Sequence, residues 1–308
     1  MATPEGEQDA FDWAGSPALD PAELAALAAP RGRRKRYVWT AAAVGAVGGA
    51  ATIAVLALGG GGSAAVTSTP VSLAADITSN EPGYRFTFAL NAAGDGVHLA
   101  MNGTGALSTG ASPSGSMSFT IGDATVNEVL AGPYIYLQSS TSAGTWYRMS
   151  TAVFGNSVSA GGASLSSGDP AQTLAWLRAA GSVSDEGSQP IGAVATTHYR
   201  ALVDLDRYAA DAAPQQQVTA AAYARLLEHL TGSATLPVDV WIDGSNLVRR
   251  IQIDLPLSMH SVSLDETITM NLFDYGPQAA PAPPAGDVID ITSQISSQLS
   301  KTLKQLDG

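Results

Sequence analysis

The basic run Arg31-Gly32-Arg33-Arg34-Lys35-Arg36 is followed by 22 residues, Tyr37 to Leu58, without a charge. At 1.5 Å per residue a helix of that length reaches roughly 33 Å, enough for a hydrocarbon core of about 30 Å. Five basic residues precede the span and none lies near its far end. The positive-inside bias therefore predicts a cytoplasmic tail over 1–36, a transmembrane helix over 37–58, and an extracytoplasmic C-terminal part. Tyr37 and Trp39 stand where an interfacial aromatic belt forms. The competing expectation is a cleaved signal of twin-arginine type, given Arg33-Arg34. Against it stand the long acidic lead and an apolar run that exceeds a usual signal core. On either expectation the C-terminal part is exported; the first makes this a single-pass protein of the cell membrane. Ala41, Gly45 and Gly49 fall at four-residue spacing, a face for a weak helix-mediated dimer, although an Ala/Gly-rich composition also produces such spacing by chance.

Residues 60–308 carry 10 Lys/Arg against 21 Asp/Glu, a net charge of −11. Such a surface repels phosphate backbones, so nucleic acid is not an expected partner. The chain has no cysteine. Disulfides, thiolate metal sites, cysteine nucleophiles and lipid attachment to cysteine are excluded. With 45% hydrophobic residues the chain can nonetheless build a core. Asp20-Pro21-Ala22-Glu23-Leu24 reads as a helix start, too short to be stable alone.

Residues 59–70, rich in Gly, Ser and Thr, read as a flexible linker. Beyond it, Tyr84–Leu90 alternates large apolar and polar residues. The alternation resumes at Val97, Leu99 and Met101 after the Gly94-Asp95-Gly96 turn, and again at Met117, Phe119 and Ile121. Tyr134–Leu137 and Thr145–Met149 read as shorter strands. A helix is expected over Asp169–Ala180, with Asp169-Pro170 as cap and first residue and Leu174 and Leu177 on one face. A strand over Ile191–Leu205 and a helix over Thr219–Leu230 follow. Strands are then expected at Leu236–Ile242, Leu247–Leu255 (through the turn Asp243–Asn246) and Thr267–Tyr275. Pro277–Pro284 reads as a proline-rich exit, and Asp287–Leu306 as a final helix with Ile291, Ile295, Leu299 and Leu303 at spacing four. This order predicts an α+β domain, an antiparallel sheet whose apolar face is covered by segregated helices.

No catalytic signature is present: there is no G-x-S-x-G elbow, H-E-x-x-H pair or phosphate-binding loop. His98, His198, His229 and His260 are scattered. His198, in an apolar strand beside Tyr199 and Arg200, reads as a structural hydrogen bond between strands rather than a catalytic base. Asp204 and Asp206, and the group Asp239, Asp243 and Asp254, lack calcium-loop spacing and read as solvated acids. Arg249-Arg250 reads as a solvated hairpin, with an anionic headgroup as the alternative. No metal and no cofactor is expected. Phe86, Phe88, Leu99, Met101, Met117, Phe119, Val240, Ile251, Ile253, Ile268 and Met270 share the apolar sides of their strands. Periodicity alone does not distinguish a sealed core from a lined cavity.

Several of these segments resemble one family. They are Tyr84–Leu90, Met117–Gly132 ending in Glu128-Val129-Leu130-Ala131-Gly132, Tyr134–Leu137 with Trp146, and the helix Asp169–Ala180. Gly192–Leu205 with Thr197-His198-Tyr199-Arg200, Leu236–Ile242, Asp243–Asp254 and Phe273-Asp274-Tyr275-Gly276 complete the set. Over residues 71–286 this layout resembles the actinobacterial LppX/LprA/LprF/LprG envelope lipoproteins, relatives of the LolA/LolB carriers. The resemblance implies a LolA-like half-barrel over helices, with an apolar cavity for acyl chains. Its expected lining is Phe86, Phe88, Leu99, Met101, Met117, Phe119, Leu174, Leu177, Val240, Ile251, Ile253 and Met270. The chain departs from the family at its anchor, where a helix stands in place of the acylated cysteine. The expected function is a non-enzymatic, membrane-tethered protein of the cell envelope that binds a lipid or acylated molecule. The alternative is a sensor ectodomain that recognises an envelope signal or protein partner and couples through the helix to residues 1–36. Residues 287–308 form a C-terminal helical tail in this reading.

Overall fold

The alternating segments do what their period requires: they stack as neighbours in one sheet, each with its apolar side turned the same way. The computed structural model describes residues 69–109, 113–141, 144–151, 170–212, 217–259 and 262–297. The expected membrane helix at 37–58, its dimer face, and the Asp169 cap lie outside these residues. Among the described residues no helix is long and apolar enough to cross a membrane.

The chain enters through α1 (Pro70–Asn80), then builds β1 (Gly83–Gly94), β2 (Val97–Ser108), β3 (Ser114–Ile121), β4 (Ala124–Ala131), β5 (Tyr134–Ser139) and β6 (Trp146–Ser150). Helix α2 (Pro170–Arg178) leads to β7 (Ala180–Ser188) and β8 (Thr196–Asp204). After α3 (Leu205–Asp211) and α4 (Gln217–Thr231) come β9 (Thr235–Asp243), β10 (Val248–Met259), β11 (Val262–Phe273) and β12 (Val288–Asp290). The spatial order is β12-β6-β5-β4-β3-β2-β1-β11-β10-β9-β8-β7. Two hairpin meanders are thus joined at the middle, where β1 meets β11 antiparallel. Asn271 Nδ2 donates to Thr87 Oγ1 across that joint at 3.0 Å, between residues 184 apart in the chain. The one parallel pair among these strands is β12 with β6.

The helices lie on the inner face, mainly over β7–β10. Leu174 and Leu177 of α2 and Leu227 of α4 join one core with the inner residues of the strands. Helix α1 presents Val71, Ala74 and Ala75 to it, and Thr78 Oγ1 accepts from Val248 N at 3.0 Å. The Arg178 guanidinium holds Asp76 at 2.7 Å, tying α2 to α1. The outer edge strand β7 is mostly exposed and carries two register shifts, and it holds Asp185 and Glu186. Bulges and acids on an edge discourage pairing with another chain.

Four expectations need correction. The linker does not run through Pro70: Thr69 caps α1, its Oγ1 accepting from Ser72 N while Ser72 Oγ accepts from Thr69 N. This reciprocal cap with Pro at the first position starts a helix where composition alone reads as coil. The second helix stops at Arg178, and Ala180 already belongs to β7. The strand expected from Ile191 starts at Thr196 after a tight turn. It ends at Asp204, which caps α3 by accepting from Arg207 N at 2.9 Å. The final helix does not begin at Asp287: β-branched Val288 and Ile289 extend along the free edge of β6, with Trp146 N donating to Asp287 O at 3.0 Å and Ile291 N to Arg148 O at 2.9 Å. Helix is present at 292–297. Residues 298–308 lie outside the described chain.

Candidate functional site

The inner face can be read in rows across the sheet. One row runs Phe119 (β3), Gly103 (β2), Phe88 (β1), Met270 (β11), Ile251 (β10), Val240 (β9). The next holds Ile121, Met101, Leu90, Ile268, Ile253 and Val238. On the other side lie Glu128, Met117, Gly105, Phe86 and Leu272. The structure therefore brings Phe86, Phe88, Met101, Met117, Phe119, Val240, Ile251, Ile253 and Met270 into one buried cluster, with Leu174 and Leu177 facing them from α2. Leu99 belongs to the same face but is only half-buried.

Glycine sets the shape of this wall. Gly103 and Gly105 occupy inner positions of β2, and a Cβ on Gly105 would lie 2.6 Å from the tip of the Phe86 ring. Rings from β1 lean over the bare backbone of β2, so two phenylalanines and Phe119 fit side by side. Phe88 and Phe119 sit 6.2 Å apart at 57°, a favourable tilted arrangement. Met101, Met117, Met149 and Met270 line the same cluster. Unbranched thioethers adapt to differently shaped apolar neighbours.

The face is closed in its middle and looser at one end. Toward the β1–β2, β3–β4 and β10–β11 hairpins, Leu99, Ile121, Leu257 and Leu264 are half-buried. Asp95 of the first hairpin accepts from Ser263 N at 2.7 Å, tying that hairpin to the β10–β11 one.

Two carboxylic acids stand on this apolar face; Glu128 opens the Glu128–Gly132 stretch of the family resemblance, and Glu266 belongs to no motif. Glu128 is fully buried opposite Met117 and Leu137. Glu266, opposite Ala92 and Leu255, is 9% exposed. Burial pushes its carboxyl from the usual 4.5 up to about 7, because the charged form loses its water. A sequence signal for Glu266 exists: Leu264, Glu266, Ile268, Met270 and Leu272 fall at period two, so the acid shares the apolar side.

The other polar residues are structural. His198 Nε2 and Asp239 Oδ1 are 2.7 Å apart across β8 and β9, and the imidazole stacks on Trp241 at 4.4 Å. The expected inter-strand hydrogen bond is thus present. Arg200 reaches the same Asp239 at 3.3 Å. Arg249 and Arg250 are not a solvated pair. Arg249 binds Asp243 at 2.6 Å and covers the Tyr275 ring, while Arg250 donates to Asn271 at 2.7 Å and lies over Trp241. Short cross-strand partners and aromatic faces draw both guanidinium groups onto the sheet. Asp243 also closes its turn, accepting from Ser245 N at 2.8 Å and Leu247 N at 3.0 Å. Asp254 accepts from Thr267 at 2.7 Å, and Asp206 is exposed.

No protein-family profile and no curated protein matches the chain. Similar solved structures include LprF from Mycobacterium bovis, at 11% identity over 72% of this chain and 100% of that one, with a TM-score of 0.43. The Mycobacterium tuberculosis lipoprotein LppX matches at 15% identity over 69% of this chain and 98% of that one, with a TM-score of 0.37. A LolA superfamily protein from Nitrosomonas europaea matches at 11% identity over 70% and 96% of the two chains, with a TM-score of 0.32.

Proposed function

We propose that this chain is a non-enzymatic, membrane-tethered extracytoplasmic protein that binds the acyl chains of a lipid or lipidated molecule in the cell envelope. The observation that carries the reading is the inner face. It is a largely apolar wall of phenylalanine, methionine and branched aliphatic side chains, buried in its middle and half-buried at the hairpin end. Acyl chains laid against its half-buried end gain roughly 25 cal/mol per Å² of surface removed from water, and adaptable Met side chains accept chains of differing shape. The uncharged run at 37–58 supplies the tether, with the N-terminus cytoplasmic. The family resemblance drawn from the residues of 71–286 leads to the same activity.

The test is native mass spectrometry of the purified chain after cleavage within 59–68, ahead of the Thr69 cap. An acyl-lipid adduct that survives mild activation and exchanges with added lipid is expected. A chain that emerges free of lipid and takes up none from vesicles overturns the reading.

A further inference from the structure

Glu266 is the one acid on the inner face of β11, whose other inner residues are Leu264, Ile268, Met270 and Leu272. It is nine-tenths buried, and among the described residues no donor reaches its Oε1. A carboxyl oxygen left unmet in an apolar wall is costly and calls for a partner. The residues beside it are small or only half-buried on one side. Across the strand stands Ala92, the smallest side chain on the inner face of β1, and one step further out the apolar face loosens at Leu99, Leu257 and Leu264.

Charge narrows the chemistry of that partner. The turns and strand ends around this mouth carry Asp95, Asp123 and Asp265. The described arginines of β1 and β10, namely Arg85, Arg249 and Arg250, lie at the opposite end of the sheet. Among the described residues of these turns and strand ends, a phosphate headgroup would meet acids and no lysine or arginine. With its carboxyl pushed up to about 7, Glu266 is part-protonated near neutral pH. It can then donate to an ester carbonyl or accept from a hydroxyl.

The geometry points to Glu266 as the hydrogen-bonding anchor of the lipid site, holding the uncharged hydroxyl or ester head of an acyl lipid at the hairpin end while its chains lie along the apolar face. This rests on the lipid-binding reading above and adds to it the ligand class and its orientation. Glu266 is a binding residue here, and no bond is made or broken.

The full-length chain and its Glu266→Leu, Glu266→Ala and Glu266→Gln variants are offered three pyrene-labelled probes in phosphatidylcholine vesicles. These are a diacylglycerol, an alkane without a polar head, and a phosphatidylglycerol; uptake is read by energy transfer from tryptophan. Wild type should prefer the diacylglycerol over the phosphatidylglycerol by about tenfold. Glu266→Leu and Glu266→Ala should each lose about tenfold in diacylglycerol affinity, the worth of one buried hydrogen bond, with alkane uptake unchanged. Glu266→Gln, which keeps a donor and an acceptor, should retain most of it. Unchanged diacylglycerol affinity in both the Leu and Ala variants overturns the anchor and leaves the lipid reading standing, as does a wild-type preference for phosphatidylglycerol. Wild type that takes up neither diacylglycerol nor alkane overturns the lipid reading, and the anchor with it.

Discussion

The Phe88 ring occupies the space that a side chain on Gly103 would need: a Cβ built on Gly103 would stand 2.2 Å from Phe88 Cε1 and 2.8 Å from Phe119 Cβ. The glycine is thus part of the wall's shape, and the ring supplies the apolar cover that β2 lacks.

Gly103→Ala should therefore destabilise the domain by about 1–3 kcal/mol, the cost of overpacking a closed core. Pairing it with Phe88→Leu should recover part of the loss. Urea unfolding midpoints of the two variants decide this. A Gly103→Ala protein as stable as wild type would mean that the ring does not rest there.

Glu266 should give stability a distinctive pH dependence. Its folded carboxyl, at about 7, holds a proton more tightly than the usual 4.5. The folded state therefore binds more protons between these values, and its stability falls as pH climbs from about 4.5 to about 7, then levels off. Beside it, β1 presents Ala92 and β10 presents Leu255; α4, packed over β10, carries Arg225, Glu228 and His229 exposed to solvent. The full penalty is on the order of 3 kcal/mol. Glu266→Gln should add stability at pH 8 and little at pH 5; an equal gain at both values would contradict the assignment.

Thr69→Ala removes the oxygen that accepts from Ser72 N and should cost about 1 kcal/mol. A chain that starts at Gly59 should melt like wild type, whereas one that starts at Val71 should melt lower. Circular dichroism melts of the three proteins would expose a wrong boundary by showing no difference.

The tether makes a separate prediction. Deleting 37–58 should move the chain from an alkali-resistant membrane pellet into the soluble fraction, with diacylglycerol uptake intact. Continued sedimentation with membranes after the deletion would contradict a single anchor at that run.

The legible part of this fold is the part written at period two. Tyr84–Leu90, Met117–Ile121 and, within the expected Leu247–Leu255, the stretch from Val248 stand as strands because each alternates over enough residues to override local propensity. The strands at Ala124–Ala131 and Ala180–Ser188 were not legible in the same way. The first has near-continuous burial at its end, and the second is an exposed edge without an apolar side. The helix at Pro70 was hidden by its Ser/Thr-rich approach, although Thr69-Pro70-Val71-Ser72 spells the cap. Of the candidate wall, the strand members follow from alternation and Leu174 and Leu177 from helical spacing, each together with the family resemblance. Gly103 and Gly105 are not legible because a glycine carries no apolar signal, and Glu266 because a charged residue reads first as solvent-facing.

The join between β1 and β11 also decides when the molecule can exist. Strands β1 to β6 are neighbours in sequence and can zip up hairpin by hairpin, but the central seam awaits residues synthesised nearly two hundred positions later. Loop closure of that length weighs on the rate far more than on the final stability. A nascent chain that has made only its first six strands carries a bare β1 edge and an uncovered greasy surface. Between ribosome and final assembly, an open edge and apolar surface of this kind favour aggregation.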